Sequence, residues 1–153
     1  MTADSVLLNG TVLTPEGRIG PGAGVAISDG RIVAVGYDDK LPDAREVHDV
    51  AGDHIAPGIV DCHIHTREPG NPEREDWAHA TRAAAAGGVT TVIAMPNTDP
   101  VVDRPEVLER VFDLIERESV VDAGSYGLVG EDNLDELEPL YEAGALGFKC
   151  FLM

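Results

Sequence analysis

The stretch Asp61-Cys62-His63-Ile64-His65 carries the densest chemistry in the sequence. In an extended strand, side chains two residues apart share a face, so the imidazoles of His63 and His65 can reach one metal centre together. The competing reading is a pair of hydrogen-bonded histidines at a strand end, because histidine has many structural uses. An apolar run precedes the dyad and a loop with Pro69-Gly70 follows it. Both rings then sit at a strand's carboxyl end, where barrel enzymes build their sites. His48, His54 and His79 fit no ligand spacing and read as surface or core residues. Gly87-Gly88 and Gly127-Leu128-Val129-Gly130 lack the spacing of a phosphate cradle, and no nucleophilic triad is visible.

Elements that would position the dyad follow from the pattern around it. From Ala56 the sequence repeats strand, loop and helix. Gly58 to His65 reads as a strand. Asn71 would cap a helix with Pro72 in its first turn, running through Ala78, Ala80 and Ala83 to Ala86 and stopping at Gly87-Gly88. Val89 to Met95 is a second buried strand. Asp103 and Glu106 have capping-box spacing before Val107, Leu108, Val111, Leu114 and Ile115, which recur at helical period. Ala123 to Val129 is a weaker third strand, and Leu134 to Tyr141 predicts two short helical pieces meeting at Pro139. Leu146 to Met153 is a fourth strand. The strand ends recur at roughly 30 residues, as in a (β/α)8 barrel of about 250 residues, although an open doubly wound sheet has compatible spacing.

Residues 1–55 read differently, as a small antiparallel β-sandwich module. Asn9-Gly10 and Asp29-Gly30 are each flanked by short strands and carry the two-residue hairpin signal, since both central positions of a type I′ turn need positive φ. The expected domains are therefore 1–55 and 56–153.

With 153 residues, 43% of them hydrophobic, the chain can bury a core despite its formal net charge of -17. The 28 acidic against 11 basic side chains repel phosphates and anionic lipid, which argues against nucleic-acid and membrane partners. No window approaches the roughly 20 apolar residues of a spanning helix, and the first residues lack the pattern of a secretory signal, so a cytoplasmic location is expected. Lys40 and Lys149 are the only lysines, and that poverty beside the acidic excess suggests a halophilic source. Cys62 and Cys150 are too few for a disulfide framework and read as buried thiols within apolar runs.

The longer stretch from Pro57 to Gly70 resembles the opening barrel strand of the amidohydrolase superfamily, in particular its cyclic-amidase branch of dihydroorotases, allantoinases and hydantoinases. Met95-Pro96-Asn97-Thr98 and Gly147-Phe148-Lys149-Cys150-Phe151 match further motifs in the same order, each at a strand end. The resemblance implies an α/β fold, the first half of a (β/α)8 barrel of about four strands, preceded by the sandwich. It implies that His63 and His65 ligate one metal of a two-zinc site and that Lys149, carboxylated by carbon dioxide, bridges both metals. A lysine suits this, since only the neutral amine attacks carbon dioxide and a site near cations favours that form. Asp61 would hold a ligand in orientation without touching metal, with a structural role equally open. Arg67 and Asn97 would bind substrate: a guanidinium and an amide both suit a ring carboxylate such as that of dihydroorotate. A salt bridge of Arg67 to Glu68 or Asp61, and a turn role for Asn97, are the alternatives.

The same resemblance implies a small-molecule substrate and a homo-oligomer in the complete enzyme. The family's remaining histidines, and its general-base aspartate, belong to strands five to eight, which are absent from this sequence. The chain is thus expected to be a truncated first half, inactive alone. For the complete enzyme the expected activity is dihydroorotase, the reversible cyclisation of N-carbamoyl-L-aspartate in pyrimidine synthesis. Allantoinase or a hydantoinase is the alternative within the class: Gly-Phe-Lys-Cys-Phe also looks allantoinase-like. A non-catalytic assembly subunit is the alternative outside it.

Overall fold

A computed structural model describes residues 2–152, and the chain divides into two units, Met1–Pro57 and Gly58–Met153. The first unit is one five-stranded sheet of β1 (Ala3–Thr14), β2 (Gly17–Ser28), β3 (Arg31–Tyr37), β4 (Ala44–Asp49) and β5 (His54–Ile55). The order is β3-β2-β1-β4, with β5 also beside β1. Only β1–β2 and β2–β3 are antiparallel; β4 and β5 run parallel to β1. The sheet is mixed because the chain crosses over through a short 3-10 turn at Asp38–Lys40 before returning beside β1. It buries two small clusters, one around Val6 and Ala26 and one around Val12, Ala23 and Val25.

Asp29 and Gly30, at φ 50° and 69°, form the expected turn between β2 and β3. Asn9-Gly10 does not form one. Asn9 has φ 60° but lies inside the continuous strand β1, at an irregularity in its register with β2. Its polar groups turn away from β2: the backbone N–H donates to Asp38 at 3.0 Å and the side-chain amide to Asp49 at 2.9 Å. A positive-φ residue supplies a bulge as readily as a turn, and these partners select the bulge.

In the second unit β6 (Ile59–Ile64), β7 (Val89–Ala94) and β8 (Asp122–Ser125) form a parallel sheet. β9 (Gly127–Val129) and β10 (Phe148–Cys150) form a parallel pair. The expected third strand is therefore two, divided at Tyr126. The N–H of Tyr126 still donates to Ala94 of β7, while that of Gly127 donates to Gly147 ahead of β10, so the segment changes partner there. Of the expected fourth strand only Phe148–Cys150 pairs, and Met153 lies outside the described residues.

The helices are α1 (Trp77–Ala86), α2 (Pro105–Glu118) and α3 (Leu137–Glu142). α1 begins five residues later than the Asn71 cap would place it. Asp76 is the cap, accepting from the His79 N–H, whereas Asn71 is held in a turn that its N–H makes with the Arg67 carbonyl. α2 has Pro105 in its first turn and Arg104 at the cap position. Asp103 caps nothing, because its carboxylate is held by the Arg104 guanidinium at 2.9 and 3.1 Å. Pro139 lies in the first turn of α3, where its missing N–H has no intrahelical partner to lose. The break falls earlier, between a 3-10 turn at Leu134–Glu136 and α3.

Val107, Leu108 and Val111 of α2 pack with Trp77, Val92, Ala94, Val102 and Leu140 into the main core. Cys62 and Cys150 are both exposed, not buried. They lie on β6 and β10, each hydrogen-bonded to one neighbouring strand only, and burial in this unit is concentrated around β7.

Candidate active site

The parallel pairing of β6 and β7 brings their carboxyl ends together, and the Met95 N–H donates to the Ile64 carbonyl at 2.9 Å just past both. The ladder is irregular between Asp61 and Ile64. There the Asp61 carboxylate accepts from the backbone N–H of His63 at 3.0 Å, holding the bent strand locally. Asp61 thereby fixes the backbone that carries His63. The rings of His63 and His65 lie edge to face, with centroids 5.4 Å apart and planes at 60°.

His65 is half-buried, and its Nδ1 lies 2.8 Å from Oδ1 of Asn97, in the loop after β7. An amide oxygen only accepts, so this contact is a hydrogen bond in the tautomer that carries its hydrogen on Nδ1. Asn97, expected from sequence as a substrate contact, is thus also in contact with a candidate ligand. Its spacing from His65, 32 residues, gave no signal of the pairing.

Arg67 has φ 62°, a left-handed conformation uncommon outside glycine. Among the described residues it has no ion-pair partner within 4.0 Å. The salt-bridge alternatives are occupied elsewhere: Asp61 bonds the His63 N–H, and Glu68 accepts from the Trp77 N–H at the start of α1, at 2.9 Å. Glu68 thus ties the loop carrying Arg67 to the helix behind it, a link that sequence reasoning missed.

Lys149 is half-buried on β10, with Nζ 5.2 Å from the centre of the Phe151 ring. No hydrogen bond joins Lys149 or Arg67 to the histidines among the described residues. His48, His54 and His79 are exposed, His48 near Glu46 and His79 bonded to Glu75.

The donor set suits part of a metal shell. Two adjacent imidazoles, one of them in contact with an amide oxygen, are good ligands for zinc, which in catalytic sites takes three protein donors. Among the described residues no three His, Cys, Asp or Glu side chains converge, so the dyad supplies two of that set.

Parallel strands alternating with helices, with a histidine pair at the carboxyl end of β6, form an α/β unit of the kind in which barrel enzymes place their sites. The comparisons narrow the class. An allantoinase of Escherichia coli is 43% identical over 99% of this chain, which spans 33% of that protein. The L-hydantoinase of Arthrobacter aurescens matches 96% of the chain with a TM-score of 0.88 and 28% identity, over 32% of its own length. An N-acyl-D-glutamate deacylase of Bordetella bronchiseptica, solved with zinc, shares the fold at a TM-score of 0.64 and 19% identity, over 97% of this chain and 38% of its own. The dihydro-orotase-like family matches residues 52–150, and the chain belongs to it, within the cyclic-amidase branch of the amidohydrolases. It spans about a third of the length of these relatives.

Proposed function

We propose that the protein to which this chain corresponds is a metal-dependent hydrolase that opens a cyclic amide. The observation that carries the reading is the His63–His65 pair at the end of β6, its rings 5.4 Å apart, with His65 bonded to Asn97. His63, His65 and a carboxylated Lys149 would hold the metal, which when bound supplies Lewis-acid polarisation of the ring carbonyl and acidifies water. Asp61 keeps the His63 backbone in place, and Asn97 keeps the His65 ring in place. Arg67 reaches substrate with a guanidinium that no described carboxylate neutralises. With no third His, Cys, Asp or Glu converging on the two imidazoles among the described residues, the chain by itself is expected to show no turnover.

For the substrate, the unpaired Arg67 favours a ring that bears a carboxylate, and dihydroorotate is that ring. Asn97 can add an amide N–H to the same group while its oxygen remains on His65. Allantoin is the second reading, favoured by the 43% identity to an allantoinase along nearly the whole chain.

The test compares both rings in a protein of the relatives' length, before and after Arg67→Gln. Loss of one member of a buried charge pair costs roughly 2 to 5 kcal/mol. The change should lower kcat/KM for dihydroorotate by that amount and spare an uncharged hydantoin. Good turnover of allantoin with little of dihydroorotate in the parent would establish the second reading. Equal losses on both rings would make Arg67 a support of the loop.

A further inference from the structure

We infer that Asn97 is a positioning residue for His65: its side-chain oxygen holds the imidazole in the Nδ1–H tautomer and presents Nε2 as the free donor. This rests on the reading of His65 as a metal ligand, and assigns Asn97 a task separate from substrate contact. The hydrogen bond, at 2.8 Å, joins the end of β6 to the loop after β7. A neutral imidazole has one N–H and one lone pair, so naming the acceptor at Nδ1 names the free nitrogen. Without that acceptor the ring could exchange tautomers, and only part of the population would present the right lone pair.

The loop is built to keep the oxygen in place. Two residues beyond Asn97, the Asp99 N–H donates to the Pro69 carbonyl at 2.9 Å. The Val102 N–H closes back on the Pro96 carbonyl at 3.0 Å, and the Thr98 hydroxyl donates to the Pro100 carbonyl at 2.7 Å. Pro96 is fully buried. The backbone that carries Asn97 is thus anchored on both sides, and an amide on a fixed backbone favours one ring orientation. The amide oxygen faces the ligand histidine.

The test reads the tautomer directly. Long-range proton–nitrogen correlation spectra of the metal-free chain at alkaline pH should show His65 as the Nδ1–H form. Asn97→Leu, which has no acceptor, should give averaged tautomers, and Asn97→Asp, which restores one, should return the Nδ1–H form. Zinc titration with a competing chelator should show affinity about 10- to 100-fold weaker in Asn97→Leu, the usual effect of removing a group that orients a ligand, and largely recovered in Asn97→Asp. An Nε2–H or averaged His65 in the unsubstituted chain would overturn the inference, as would a tautomer indifferent to Asn97→Leu. A fixed, Asn97-dependent tautomer in a chain that binds no zinc would support the positioning role and count against the metal reading, so the two fail separately.

Discussion

Gly70 and Asp99 are in backbone contact across two loops: a β-carbon on Gly70 would lie 2.5 Å from the Asp99 carbonyl oxygen and 2.6 Å from its β-carbon. Gly70 also has φ 116°, which L side chains rarely adopt. The loop that carries Arg67 and the loop that carries Asn97 therefore brace each other at a point where only glycine fits. Gly70→Ala is expected to destabilise the unit by about 1 to 3 kcal/mol from backbone strain, with the clash adding to it. Gly130→Ala, with its nearest contact at 3.6 Å and no positive φ, should change stability by under about 0.5 kcal/mol. Urea melts of the two variants check this, and equal effects would contradict the bracing.

Trp77, the only tryptophan, is fully buried in the main core, and its indole N–H has no hydrogen-bond partner. Native fluorescence should be blue-shifted and move red on unfolding, which makes it a probe of this unit. Trp77→Ala is expected to cost about 3 to 5 kcal/mol through the cavity it leaves. Trp77→Phe should cost under about 1.5 kcal/mol, since it keeps most of the ring and removes a buried donor that bonds nothing. Comparable losses in both variants would show that the indole nitrogen is engaged.

Glu75, bonded to the His79 imidazole at 2.7 Å, holds the His79 pKa above its ordinary value, first through that bond and then through its charge. A pKa raised in the folded state means that the pair stabilises fully below the unfolded value near 6.5, and that this contribution is lost as pH rises through the folded pKa. An NMR titration should give a His79 midpoint above 6.5 that falls in Glu75→Gln. A midpoint unmoved by the substitution would contradict the assignment.

Cys62 and Cys150 are both exposed and unpaired. A thiol reagent should therefore label both in the native chain without denaturant. Labelling that waits for urea at either position would place that thiol in a core.

Much of the architecture was legible because periodicity reports burial. The apolar spacing of Val107, Leu108 and Val111 marked α2, and the run Val89 to Ala94 marked the strand at the centre of the core. The two-residue spacing of His63 and His65 put both rings on one side because a strand's side chains alternate, a local rule that needs no partner. Tertiary structure alone decided what depended on distant residues. Asn9 became a bulge because Asp38 and Asp49 take its polar groups, and α1 waited for Asp76 because Asn71 was already bound into the turn at Arg67. The cysteines sit in apolar runs, yet their exposure depends on which strands lie beside β6 and β10, and no run of residues states its own neighbours. The bond from Asn97 to His65 is of the same kind. Sequence names an amide and an imidazole 32 residues apart, and only the parallel pairing of β6 with β7, followed by a braced loop, brings an oxygen to one particular ring nitrogen.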